Sequence, residues 1–303
     1  MPASPADPGC VLVEGPWRHR DVTASGLKFH VAEHGPVGAP LVLLLHGFPE
    51  FWWSWRHQLV ALGEAGYHAV AVDLRGYGAT DKPPRGYDLV TLAGDVAALI
   101  RSLGAHDAHV VGHDWGAALG WTTATLHPSV VRRLTAVSVP HPLRFRQALL
   151  HDGHQRRLSA YMGLFQVPRV PERRLEQGDL VEELLSRWGG PGFPDAETAT
   201  RCREAMTITA AAHSAMEYYR WAFRSRFRPS GHRFLKALAA GVPVPTQYLH
   251  GAQDGCISVA SARGCEPWVR GPYAFHELPD VGHFPHQESP DAVTSLLLEH
   301  DPL

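Results

Sequence analysis

The chain has 303 residues, of which 45% are hydrophobic and 19% are charged, so it can bury the core of one large domain or of one domain with an insertion. The formal net charge is -2 and the sequence has no Lys/Arg blocks, so it shows no basic surface that would bind nucleic acid or an anionic membrane. No stretch reaches the ~18 apolar residues that span a bilayer. The expected partner is therefore a small molecule.

Cysteine and histidine spacing argues against a disulfide scaffold and against a metal centre. The four cysteines form no C-x-x-C pair, and the 20 histidines include no H-E-x-x-H motif. The N-terminal segment lacks the positive start and long apolar run of a signal peptide. We expect a reduced, cytoplasmic protein; its oligomeric state is left open, with a homo-oligomer among the options.

In chain order, short apolar runs rich in Val and Leu alternate with helical patterns, which predicts an α/β fold with a mainly parallel sheet. Two early strands, about 17–24 and 26–34, look antiparallel to each other. The six later strands are expected at 41–47, 68–76, 109–116, 134–140, 245–254 and 273–283. Helices are expected at 55–65, 91–103, 116–127 and 290–299. The sum is an eight-stranded sheet flanked by helices.

The alternation stops between residues 141 and 238, where only Arg-rich amphipathic stretches and turns are found. Because strands resume at 245, this region is interpreted as a helical insertion after the sixth strand. Open α/β sheets bind ligands at the carboxyl ends of their strands, so the insertion is expected to form a lid over the site. The predicted division is a core first part at 1–140, a lid at 141–238 and a core second part at 239–303.

The strongest local motif is "VGHDWGA", in which a strand enters a helix through Gly112-His113-Asp114-Trp115-Gly116. Glycines at both ends of such a pentapeptide allow a sharp turn that exposes the central side chain above the sheet. Alone, the pattern fits equally well an Asp that caps the helix. Two later residues favour the catalytic interpretation.

Asp254 follows the next-to-last strand in "YLHGAQDG", and His283 lies in the loop after the last strand in "LPDVGHF". The chain order of nucleophile, acid and histidine is that of an α/β-hydrolase triad, with each member at the end of a strand. We therefore predict that Asp114, Asp254 and His283 act together.

Four stretches, "HGFPEFWWSWRHQL", "VDLRGYGATDKP", "VGHDWGA" and "GHFPHQE", resemble the motifs of epoxide hydrolases of the α/β-hydrolase fold. The resemblance implies hydrolysis of an epoxide to a diol without any cofactor. It also implies an oxyanion hole built from the main-chain amides of Phe48 and Trp115, and a cis peptide between Phe48 and Pro49. The substrates would be a small epoxide and water.

An aspartate nucleophile is itself informative about the reaction. A carboxylate is ionised near neutral pH and needs no base before it attacks. Its attack on a saturated carbon gives a stable alkyl ester, whereas attack on a carbonyl would give a high-energy anhydride. His283, oriented by Asp254, would then activate water against the ester on Asp114.

The resemblance also selects two tyrosines that would stabilise the alkoxide of an opened epoxide. Tyr161 lies four residues before Phe-Gln in "SAYMGLFQ", and Tyr219 precedes Arg in "EYYRWAF". Tyr218 is left as a structural or pocket residue. The pocket itself is assigned to Trp52, Trp53 and Phe165.

Two other functions stay open from the sequence. Haloalkane dehalogenases share several of these motifs, and the indole of Trp115 could hold a halide, although Phe48 stands where many of them have an Asn amide. The second is a ligand-binding receptor on a hydrolase scaffold. In the aromatic loop, Trp55 is assigned to packing, and His46 and Glu50 are expected to brace the loop.

Overall fold

Eight strands form a single sheet in the computed structural model, which describes residues 5–177 and 179–301. Their order across the sheet is β1-β2-β4-β3-β5-β6-β7-β8. The strands β1 to β8 are Arg18–Ala24, Leu27–His34, Leu41–Leu45, His68–Val72, Ala108–His113, Val131–Val137, Thr246–Gly251 and Tyr273–Leu278.

The sheet is antiparallel at one edge and parallel elsewhere. β2 pairs antiparallel with β1 and β4, and the remaining neighbours pair in parallel. Every residue of β3, β4, β5 and β7 is buried, because helices cover both faces of a parallel sheet. The predicted sheet, including its antiparallel first pair, is confirmed.

Several strands are shorter at their carboxyl ends than predicted. β4 ends at Val72 and not at residue 76, because the buried carboxylate of Asp73 accepts the main-chain amides of Trp52 and Ala79, each at 3.0 Å. These bonds turn the chain out of the sheet. β5 ends at His113, because the next residue has a positive φ that a strand cannot accommodate.

Helices flank the sheet at the predicted places, within two residues of each predicted end. α2 begins after Asp88, whose carboxylate accepts the amide of Thr91 at 2.9 Å and so caps the helix. The helices that flank the core are α1 Arg56–Glu64, α2 Leu89–Ser102, α3 Trp115–Leu126, α12 Val259–Ala262, α13 Pro285–Glu288 and α14 Pro290–His300.

The segment between β6 and β7 is helical, as the sequence predicted. α10 buries one face, including Tyr218 and Tyr219, and exposes Phe223 on the other. The helices of this segment are α4 Pro142–His151, α5 Gly153–Leu158, α6 Tyr161–Leu164, α7 Val170–Gln177, α8 Asp179–Trp188, α9 Ala196–Thr207, α10 Ala211–Arg224 and α11 Pro229–Leu238. The division into core and lid stays a prediction.

Within residues 5–177 and 179–301, no helix combines the length and the apolar character that crossing a bilayer requires.

Candidate active site

The turn between β5 and α3 exposes one carboxylate. Asp114 has φ 49° and ψ -115°, a conformation that costs about 1–3 kcal/mol for a residue with a side chain. The flanking glycines are required by close packing: a Cβ on Gly112 would collide with the carbonyl of Gly116, and one on Gly116 would collide with the carbonyl of Leu45. The predicted strand–turn–helix elbow is present.

The loop after β3 brings a main-chain amide to this carboxylate. The Phe48 amide donates to Asp114 Oδ1 at 2.8 Å. A side chain on Gly47 would overlap that of Asp114, so glycine permits the approach. The Phe48–Pro49 peptide is cis, as the resemblance implied. The Trp115 amide begins α3, where amides lack partners within the helix and suit an anion.

His283 connects the two acids. Its Nδ1 lies 2.7 Å from Asp254 Oδ2, and its Nε2 lies 3.7 Å from Asp114 Oδ2. The first distance is a short hydrogen bond, whereas the second is too long for one. Among the described residues, the buried Nε2 has no hydrogen-bond partner. The structure thus brings together the three residues predicted as a triad.

The charges of the triad support one another. Burial alone would lower the pKa of His283, but the charge and hydrogen bond of Asp254, together with the nearby carboxylate of Asp114, outweigh it and raise the pKa to about 10. Burial likewise disfavours the ionised form of Asp254, yet the charge of His283 and its hydrogen bond lower the pKa of that carboxyl. The resting site therefore holds an imidazolium between two acids.

Two tyrosines from the helical segment line the same cavity as Asp114. The rings of Tyr161 and Tyr219 lie 6.1 Å apart, and Tyr219 packs edge-on against Trp115 at 5.0 Å. Burial raises the pKa of both phenols well above the ordinary value, so both keep their proton. Tyr218 is structural instead, since its hydroxyl donates to the carbonyl of Arg75 at 2.8 Å.

The cavity has a volume of about 340 Å³ and a mainly apolar wall. Asp114, Trp115, Tyr161 and Tyr219 line it together. Much of the remaining wall comes from helices between β6 and β7 and includes Phe145, Leu149, Met162, Trp221, Phe234 and Leu235. Such a cavity suits a small apolar molecule with one polar centre. A larger surface depression beside α1 and α14 contains no triad residue.

The prediction that Trp52, Trp53 and Phe165 line the pocket is wrong. Trp52 donates its indole N–H to the carbonyl of Val11 at 2.8 Å, and Trp53 lies 3.6 Å beneath the guanidinium of Arg56. The short 3-10 turn Trp52–Trp55 places both indoles outside the cavity wall, in a hydrophobic cluster that includes Val11, Phe51 and Leu59.

Two other aromatic residues of the prediction are also explained by packing. Phe165 does not line the cavity; it lies behind the phenols, with its ring 4.9 Å from that of Tyr219 and 5.7 Å from that of Phe48. Trp55 packs on His286 at 4.3 Å, in agreement with the packing role expected for it.

Sequence reasoning missed a buried chain of polar groups behind the triad. His113 Nδ1 lies 2.8 Å from Glu50 Oε2, and His113 Nε2 lies 2.8 Å from the carbonyl of His283. Ser138 donates to the same carbonyl at 2.7 Å. Glu50, His113 and His286 are close enough to hold an ion, but both nitrogens of His113 are engaged in these bonds. The cluster fixes the main chain of His283.

His46 braces the aromatic loop as expected. Its Nε2 accepts the amide of Leu74 at 3.1 Å, and its Nδ1 lies 2.8 Å from the carbonyl of Gly47. The latter bond requires the proton on Nδ1, and burial lowers the pKa of this imidazole, which suits the neutral form.

Comparisons with known proteins identify the family of this chain. A family model described as the alpha/beta hydrolase fold matches residues 40–290. Epoxide hydrolase 3 of Xenopus tropicalis is 33% identical over 96% of this chain and 80% of its own length. Epoxide hydrolase A of Mycobacterium tuberculosis is 31% identical over 92% of this chain and 96% of its own.

Solved structures of epoxide hydrolases are also similar to this chain. Epoxide hydrolase A of Mycobacterium thermoresistibile superposes with a TM-score of 0.79 at 30% identity and covers 94% of this chain and 98% of its own. A mutant of an epoxide hydrolase from Bacillus megaterium, complexed with its naphthyloxy-propane-diol product, reaches 0.79 at 27% identity and covers 93% and 99%. The chain belongs to the epoxide hydrolases of the α/β-hydrolase fold family.

Proposed function

We propose that this chain hydrolyses small apolar epoxides to vicinal diols through a covalent ester on Asp114. One observation carries the proposal: the same cavity is lined by a carboxylate that can attack and by the two buried phenols of Tyr161 and Tyr219, which can receive the opened oxygen. The structural relative from Bacillus megaterium holds a diol product, which fits this assignment.

In the first step, a carboxylate oxygen of Asp114 attacks one carbon of the epoxide ring and the opposite C–O bond breaks. The oxygen that leaves is still attached to the substrate and carries negative charge. Tyr161 and Tyr219 hold this oxygen, and one of them supplies a proton, which their raised pKa values leave available at neutral pH. The product of the step is an ester of Asp114.

In the second step, His283 takes a proton from water, and the water attacks the carboxyl carbon of the ester. Ester formation removes the negative charge of Asp114, one of the causes that keep the pKa of His283 high. The imidazolium then loses its proton to the phenolate that the first step leaves, so the neutral imidazole is available as the base once the ester exists. The amides of Phe48 and Trp115 stabilise the tetrahedral oxyanion, and its collapse frees the diol.

The helices between β6 and β7 are the lid of this proposal. They supply both tyrosines and most of the apolar wall, and so exclude bulk water from the reacting groups. The core and lid boundaries at 1–140, 141–238 and 239–303, the cytoplasmic location and the homo-oligomer option accompany the proposal as predictions.

Dehalogenation is the second candidate, and one observation favours it. The buried indole N–H of Trp115 has no hydrogen-bond partner within the described residues, so it could donate to a halide beside Asp114. Purified protein incubated separately with styrene oxide and with a bromoalkane distinguishes the functions. Diol formation supports epoxide hydrolysis, bromide release supports dehalogenation, and binding without turnover supports the receptor interpretation.

The covalent route is tested by a single turnover in oxygen-18 water with enzyme in excess. Water attacks the carboxyl carbon, so the first turnover should place the label in the Asp114 carboxylate and release an unlabelled diol. Peptide mass spectrometry of the Asp114 segment measures the label. A labelled diol from the first turnover, with no label in the peptide, would show direct attack of water on the epoxide and overturn the ester.

A further inference from the structure

One thiol lies inside the catalytic cavity. Cys256 is 3% exposed and lines the cavity with Asp114, Tyr161 and Tyr219. Its position is fixed by the triad acid, because Asp254 Oδ1 accepts the amide of Cys256 at 2.7 Å. The loop that orients His283 therefore also places this sulfur.

The sulfur contacts only one of the two catalytic phenols. Cys256 Sγ lies 3.5 Å from the hydroxyl oxygen of Tyr161, within range for a hydrogen bond to sulfur. The hydroxyl of Tyr219, whose residue is 2% exposed, has no hydrogen-bond partner in the part of the chain that the structure describes. The two tyrosines are thus chemically unequal although both face the same cavity.

Either group can donate the hydrogen bond in this contact, but a bound substrate determines which one does. A phenol has a single proton, and when that proton points at an epoxide oxygen, the phenol oxygen can only accept. Without substrate the contact raises the pKa of Tyr161, as expected of a phenol that donates to sulfur. Once the phenol proton points at the epoxide, the thiol is the donor, and it offsets the negative charge that builds on the phenol oxygen as its proton leaves. Burial raises the pKa of Cys256 well above its ordinary value, so the sulfur keeps the proton that it must donate.

We propose that Cys256 is a positioning residue whose S–H···O bond makes Tyr161 the tyrosine that protonates the opened epoxide, while Tyr219 holds the oxygen. This inference rests on the proposed function. Asp114 forms the C–O bond, the ring C–O bond breaks, and the proton moves from Tyr161 to the leaving oxygen. The proton that the imidazolium loses restores the phenol, the proton that His283 takes from water restores the imidazolium, and the thiol proton stays on sulfur.

Pre-steady-state kinetics with styrene oxide separates the two chemical steps. Cys256→Ala should slow formation of the ester by about five- to tenfold, the effect expected from losing one supporting hydrogen bond. Ester hydrolysis should keep its rate, because the thiol plays no part in it. Cys256→Ser, which retains a donor, should restore ester formation. Cys202→Ala, which removes a buried thiol outside the cavity, is the matched control for packing.

A double-mutant cycle tests whether the effect passes through Tyr161. In a Tyr161→Phe background, Cys256→Ala should cause no further loss, whereas in a Tyr219→Phe background it should cause the same loss as in the wild type. The proposal is overturned if Cys256→Ala leaves ester formation unchanged, if both steps slow equally, or if the loss persists in Tyr161→Phe. If the wild-type enzyme forms no diol at all, the proposed function fails, and that outcome is distinct.

Discussion

The two sides of the active site are held in place by different forces. On the sheet side, hydrogen bonds fix each group: Asp254 accepts two main-chain amides, and the His283 carbonyl accepts two donors. On the helical side, which is formed by the helices between β6 and β7, ring packing fixes the phenols, as when Tyr219 packs on Phe165 and Trp115. Hydrogen bonds define direction strictly, whereas packed rings tolerate small shifts. We therefore expect large losses of activity on the sheet side and smaller, graded losses on the helical side.

The largest effect is expected for the nucleophile. Asp114→Asn should lower epoxide turnover by at least about 10⁴-fold, because an amide cannot form the ester. The fold should be preserved, since Asn tolerates a positive φ better than most residues. Diol formation and thermal unfolding measure the two properties. Asp21→Asn, on the exposed surface, is the matched control; substantial turnover in Asp114→Asn would place the nucleophile elsewhere.

The next-largest effect is expected for His283, and it separates ester formation from ester hydrolysis. His283→Gln should still form the ester but hydrolyse it about 10²–10⁴-fold more slowly, because the base that activates water is gone. Intact-protein mass spectrometry after mixing with styrene oxide should then show an adduct of the epoxide's mass on Asp114. Complete absence of the adduct, in a variant that remains folded, would contradict the assignment of His283 to the second step.

On the helical side, Tyr161→Phe and Tyr219→Phe should each slow ester formation by roughly 10- to 100-fold and leave ester hydrolysis unchanged. Stopped-flow tryptophan fluorescence can follow both steps. Tyr218→Phe is the adjacent control: it should keep both rates and cost about 1 kcal/mol of stability through the unpaired Arg75 carbonyl. A loss of rate in Tyr218→Phe equal to that of its neighbour would remove the distinction between them.

The smallest effect is expected on the pKa of His283, which depends on the charge of Asp114. Asp114→Asn should lower the pKa of His283 from about 10, because the charge of Asp114 is one of the causes that raise it against the effect of burial. A raised pKa in the folded state stabilises the protein fully below 6.5, and this contribution is lost as the pH rises through about 10. In the variant, the loss should occur at lower pH.

NMR titration of the imidazole and thermal melting between about pH 6 and 11 measure both quantities. Asp21→Asn should leave the titration unchanged. An identical His283 pKa in wild type and Asp114→Asn would mean that ester formation does not release the base.

The sequence was sufficient to predict the residues on the sheet side of the site but not those on its helical side. Buried strands are recognisable in the sequence as apolar runs, and the residues that follow parallel strands lie at the same edge of the sheet. Asp114, Asp254 and His283 could therefore be predicted to lie together. The direction in which the Trp52 indole points could not be predicted, because it depends on a hydrogen bond to Val11, 41 residues away along the chain. The contact between Tyr161 and Cys256 spans 95 residues and leaves no local signal.

Resemblance found the two tyrosines, where periodicity alone would have given only buried aromatic residues. The bond between Glu50 and His113 was missed for the same reason as the thiol contact: it joins residues 63 positions apart through side chains alone. Tertiary packing, and not local propensity, decides such pairs.

The cavity wall has a consequence for how this enzyme can diversify. Residues such as Phe145, Leu149 and Trp221 shape the space around the substrate, whereas the atoms that make and break bonds stand mainly on the loops of the sheet. Substitutions in the wall can change which epoxides enter, and which ring carbon meets the nucleophile, at little cost to bond chemistry. Selectivity therefore depends mainly on the helices between β6 and β7, which also carry Tyr161 and Tyr219, whereas Asp114 and His283 stand on loops of the sheet, so wall residues can vary while the reacting groups are kept.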